Sequence, residues 1–143
     1  MPLSFCIRHS SVRLLTELHM IGLHALAIVG GPDALAAVKS AIDSAEPPVQ
    51  DEAVRILSTW PNNWPEDSEA GQALLMLATS AEKMSHQVLG LRGYFQYIRG
   101  NKKLSNEQKV AKVKDVRSHI KRPEEKWLAI AVLGDAPSSS ALE

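Results

Sequence analysis

The chain has 143 residues, 45% apolar but only 5% aromatic, with 16 basic side chains balanced by 16 acidic ones. That length allows one domain with a real core, and a core of Leu, Val, Ile and Ala with few rings favours helix packing over sheet. A single cysteine, Cys6, excludes an internal disulfide, and nothing in the composition requires an oxidising compartment.

Residues 1–10 have no clear period and read as a poorly patterned leader, either frayed or the last turn of a preceding helix. From Ser11 an apolar stripe runs through Leu14, Leu15, Leu18, Ile21, Leu23, Leu26 and Val29 at three- to four-residue spacing, which predicts a helix that Gly22 bends or splits. Ile21 to Gly31 is apolar enough for a signal peptide, but His24 and the nearby Glu17 interrupt it, so it is read as structure. No run of 18 uncharged apolar residues occurs, so no membrane span is expected and the cytoplasm is the default address. Gly30-Gly31-Pro32 stops the helix, since glycine tolerates the left-handed terminal conformation and proline cannot continue the ladder.

A second helix is expected over Asp33 to Asp43, buried through Leu35, Val38, Ala41 and Ile42. The third runs from Val49 to Trp60, with Asp51 and Glu52 in its first turn and Pro61 as its end. Asn62 to Asp67 is a loop containing Trp64, which either folds back as a lid or stands exposed as a contact residue. Asp67 or Ser68 caps a fourth helix, Glu69 to Lys83. The fifth, Ser85 to Arg99, buries Val88, Leu91, Tyr94, Phe95 and Ile98. Gly90 and Gly93 each cost it roughly 1 kcal/mol, which implies close approach by a neighbouring helix. Ser105 and Gln108 form a capping-box signature for a sixth helix, Asn106 to Ile120, with Val110, Val113, Val116 and Ile120 as its stripe. Pro123 opens a seventh, Glu124 to Leu133, stopped by Gly134, and Ser138 to Glu143 reads as the start of a truncated helix or a tail.

The helices repeat. Leu23, Leu26 and Val29 align with Val54, Leu57 and Trp60, then with Leu91, Tyr94 and Tyr97, then with Trp127, Ile130 and Leu133, at offsets of 31, 37 and 36 residues. Those offsets fall in the range of stacked helix-pair repeats. Pro48-Val49-Gln50-Asp51-Glu52-Ala53-Val54-Arg55 resembles the opening of a HEAT repeat, with Leu91-Arg92 echoing Val-Arg in the third copy. The family's closing Leu-Gly has counterparts in Val29-Gly30 and Leu133-Gly134, but the second copy has Trp60-Pro61. The resemblance covers about Leu18 to Pro137, and short bacterial HEAT-like repeats, some of which occur in bilin lyases, are the nearest subgroup. It implies an all-α, right-handed α-α superhelix of about three and a half helix pairs over residues 11–137, presenting a concave face to another macromolecule. It implies no catalytic residue.

Chemistry-bearing patterns are absent. The five histidines lack ligand spacing, so no metal site is expected. Cys6, with His9 three residues on, has no orienting third group. Gly30-Gly31 lacks the lysine of a phosphate loop. Asp51-Glu52 and Glu124-Glu125 are explained by helix dipoles. Arg55 and Arg92 match in the repeat and read as bonds between repeats. Trp60, Trp127, Tyr94 and Phe95 fall on stripes and are expected in the core. No cofactor is expected, and an enzymatic role such as a bilin lyase finds no pigment pocket.

Charge offers the one functional lead. Between Arg99 and Arg122, nine Lys or Arg face only Glu107 and Asp115, a local +7. Lys109, Lys112, Lys114 and Arg117 on the sixth helix, together with Trp64, are the expected partner-contacting residues. The reading is therefore a non-enzymatic scaffold for another protein, with a nucleic-acid-binding module on the 99–122 segment as the alternative. The face of Trp127, Ile130 and Leu133 is expected to lack a covering pair and to be sticky, either within a longer array or as a homodimer contact.

Overall fold

The structure, a computed structural model, describes residues 2–137, with side chains from residue 11 onward. The readings of the Cys6 and His9 side chains and of the 138–143 segment fall outside the described residues. Among those residues all regular structure is helical: α1 (Pro2–Val29), α2 (Pro32–Ile42), α3 (Pro47–Asn63), α4 (Ser68–Ser80), α5 (Met84–Gly100), α6 (Asn106–Asp115), a 3-10 turn (Arg117–His119) and α7 (Pro123–Asp135). The chain divides within α3 into two compact units, Met1–Ile56 and Leu57–Glu143.

In the first unit α1 packs on α2. Helix α1 starts at Pro2, not at Ser11, and runs unbroken through Gly22. Proline suits a first helical position, and one interior glycine is a small cost in a helix of this length. The helix ends where expected, with Gly30 at φ 69° and Gly31 at φ 91°. Its buried side differs from the expected stripe. Leu23 is buried and Met20, Leu26 and Ala27 are half-buried, whereas Leu14, Leu15, Leu18, Ile21 and Val29 are exposed. Length supplies the reason: 28 residues span roughly 42 Å and the 11 of α2 roughly 16 Å, so α2 covers one side of part of α1. Polar bonds hold that side in place. Thr16 Oγ1 donates to Glu46 Oε2 at 2.8 Å, and His24 Nε2 lies 2.6 Å from Glu52 Oε1. Helix α3 begins at Pro47, so Asp51 and Glu52 lie beyond its first turn, and Glu52 answers His24 rather than the helix dipole. Arg55 lies 3.9 Å from Glu52 in its own helix. By length and composition alone, Ser11–Val29 could cross a membrane. An otherwise apolar stretch tolerates Arg13 and Glu17, so the lack of an uncharged 18-residue run does not disqualify it.

In the second unit α5 is central and packs on α4, α6 and α7. Glycines set how closely α5 approaches α4 and the α3 residues of this unit. A Cβ on Gly90 would stand 2.7 Å from the Ala78 nitrogen and Leu77 Cβ, and one on Gly93 would stand 2.8 Å from Ser58 Cα and O. Pro61 does not end α3. It sits close enough to the terminus that little of the ladder lies beyond it, and Trp64 N–H still donates to the Trp60 carbonyl at 2.9 Å. Asp67 caps α4, accepting from the amides of Glu69 and Ala70 at 3.1 and 3.2 Å. The capping box at Ser105 and Gln108 is present. Helix α6 stops at Asp115, and the expected continuation to Ile120 tightens into the 3-10 turn.

Helix α7 runs past Gly134 to Asp135. It buries Glu125, Ala129 and Val132, with Ala136 buried just past its end, while Trp127 is 70% and Ile130 56% exposed. The expectation of a core Trp127 therefore fails. Helix α7 is apolar almost all round, so two faces satisfy a three- to four-residue spacing, and packing on α5 selects the other one. Of the four aligned triplets, the two central ones are buried throughout, and the outer two are largely open.

Candidate functional site

The ridge of α6 that begins with Val110 and Val113 continues through Lys114 and, beyond the helix, Arg117 and Ile120. On α7, Lys126, Ala129, Ile130 and Leu133 recur at helical spacing and share a side. Packing of α6 against α7 brings these nine residues round one groove of about 460 Å³. Its walls are aliphatic: Val110, Val113, Ile120, Ala129, Ile130 and Leu133. Its cations are Lys114, Arg117 and Lys126, all exposed. Their methylene stems can extend the apolar wall while the charged heads stay in water. The arrangement can desolvate an apolar ridge and meet negative charge beside it. It contains no nucleophile with an adjacent base.

Of the residues expected to meet a partner, Lys114 and Arg117 line this groove. Lys109 and Lys112 are half-buried outside its lining, and Lys109 Nζ donates to the Arg99 carbonyl at 3.5 Å. Trp64 is 37% exposed in the turn between α3 and α4, where its carbonyl accepts from the Asp67 amide at 3.3 Å. Sequence reasoning missed Lys126, which lies outside the 99–122 block and joins Lys114 and Arg117 only through helix packing. The block's charge is also dispersed. Arg99 pairs with Asp135, and Lys103 Nζ lies 3.0 Å from Glu66 Oε2.

Glu125 and Tyr94 are buried in this unit away from the groove lining. Glu125 is 3% exposed, and its Oε2 accepts from the amides of Lys121 and Arg122 at 3.0 and 3.1 Å, closing the entry to α7. The Tyr94 hydroxyl is pushed up to about 12, first by burial, then by the negative charges of Asp115 and Tyr97. Among the described residues, no three His, Cys, Asp or Glu side chains cluster as metal ligands would. No protein-family model, curated protein or solved structure matches this chain.

Proposed function

We propose that this chain is a non-enzymatic interaction module whose second unit holds a segment of another protein in the groove between α6 and α7. The observation that carries this reading is the coincidence of an aliphatic groove of about 460 Å³ with three exposed cations at its edge. The occupant that fits is an amphipathic helix: apolar anchors at i, i+3, i+4 and i+7 for the groove, with carboxylates alongside for Lys114, Arg117 and Lys126. On this reading the helix pairs are HEAT-like repeats stacked in a right-handed superhelix. The 31- to 37-residue offsets, the burial of the two central triplets and the contact of α5 with α7 support it.

The nucleic-acid reading has less behind it. A phosphate backbone calls for a continuous cationic track, but Arg99, Lys103 and Lys109 are engaged within the chain and the groove walls are apolar.

The test is titration of isotopically labelled protein with a designed amphipathic helix of roughly 18 residues carrying Leu anchors and flanking Glu. Amide shifts should concentrate on Val110 to Ile120 and Lys126 to Leu133. The double variant Lys114→Glu, Arg117→Glu should weaken binding about tenfold or more, with reduced salt dependence. Shifts elsewhere, or none at millimolar peptide, would refute the groove. Tighter, strongly salt-dependent binding of duplex DNA through the same lysines would transfer the site to nucleic acid. Self-association abolished by Ile130→Glu would assign the groove to a second copy.

A further inference from the structure

Helix α1 carries a second apolar face that the groove reading does not use. Thr16, Met20, Leu23 and Ala27 turn towards the rest of the first unit. On the opposite side Ser11, Leu14, Leu18, Ile21, Ala25 and Ile28 follow one another at alternating steps of three and four, and all are exposed. That is the a/d seam of a two-stranded coiled coil, extended by Leu15 and Val29 on one flank. We propose that this face pairs with the same face of a second copy, the two α1 helices running antiparallel.

The seam's own residues choose the antiparallel arrangement. With Leu18 opposite the partner copy's Ile21, the remaining layers set Leu14 against Ala25 and Ser11 against Ile28. Each layer then joins a large residue to a smaller one, or two of similar size, and fills evenly. A parallel pair would set Ala25 against Ala25 and Ser11 against Ser11, leaving voids between fully sized layers. Area supports the same occupant. Leu14, Leu15, Leu18, Ile21, Ile28 and Val29 are 55–77% exposed. At about 100 Å² each they bring roughly 1,200 Å² out of water over two copies, which reaches the size of a specific interface.

A lipid surface fits less well. Crossing a bilayer would strip α1 from its bonds to Glu46 and Glu52, and lying on an anionic one calls for flanking cations. The described flanks offer Arg13, which pairs with Glu17 at 3.3 Å, and His19 and His24.

The experiment uses the full chain in sedimentation equilibrium. Wild type should dimerise reversibly at micromolar concentration. Leu18→Glu with Ile21→Glu, both at exposed positions, should be monomeric at least a hundredfold higher, with an unchanged circular dichroism spectrum. On a Cys6→Ser background, Leu14→Cys combined with Ala25→Cys should oxidise to a covalent dimer, and Leu14→Cys alone should not. A wild-type monomer at several hundred micromolar overturns the proposal. So does dimerisation lost in Ile130→Glu but kept in the α1 variant. Flotation of wild type with vesicles of phosphatidylcholine and phosphatidylglycerol, lost in the α1 variant, would make the face a membrane contact instead. Because the groove titration reads residues 110–133, it can fail while this test succeeds, and the reverse.

Discussion

The indole Nε1–H of Trp60 donates to Asp67 Oδ2 at 3.0 Å, while the other oxygen of the same carboxylate caps α4. One side chain therefore satisfies the only polar side-chain atom of a tryptophan that is 2% exposed and two free amides at a helix start. Removing it leaves a buried donor unmet and a helix uncapped. Asp67→Ala should lower stability by about 2–3 kcal/mol in urea unfolding. A loss below about 0.5 kcal/mol would mean that water replaces the carboxylate at both places.

Glycine 93 and glycine 134 make an opposed pair of tests within one unit. Both lie in helices, where alanine gains about 1 kcal/mol or less over glycine. At Gly93 the added carbon meets the backbone of Ser58 at 2.8 Å, whereas at Gly134 it meets nothing within 4 Å. Gly93→Ala should destabilise by about 1–3 kcal/mol through overpacking, and Gly134→Ala should be neutral or stabilise by up to about 0.5 kcal/mol. Equal effects in thermal unfolding would contradict the close approach of α5 to α3 residues within this unit.

Tyr94 predicts an alkaline limit. Its folded pKa is raised to about 12 from 10.0, so the folded state holds its proton where the unfolded chain has released it. The stabilisation is full below pH 10 and falls away as pH rises towards 12, on the order of 2–3 kcal/mol in all. Tyr94→Phe should flatten that part of the stability profile. An unchanged slope between pH 10 and 12 would show that other groups carry it.

Glu125 is expected to act as a clamp on the entry to α7. With both amides of Lys121 and Arg122 resting on one oxygen, Glu125→Ala should cost about 1–3 kcal/mol, and Glu125→Gln, which keeps an acceptor, clearly less. Loss of peptide binding in Glu125→Ala at full stability would instead point to a role at the groove itself.

Local chemistry decided what could be read along the chain, and long-range packing decided the rest. Helix identity, the glycine stop at Gly30-Gly31, the capping box at Ser105 and the crowding at Gly90 and Gly93 were legible, because each depends on a few consecutive residues or on a side chain too small for its position. Which face of a helix is covered was not. Leu14, Leu18 and Ile21 look like core residues by spacing, and so does Trp127. Periodicity marks an apolar side but carries no information about whether a neighbour is long enough, or correctly placed, to cover it. The same limit applies to the groove. Lys114 and Arg117 stood out by composition, but Lys126 joined them, and Lys109 and Lys112 left them, only when α6 and α7 packed and gave each side chain a direction.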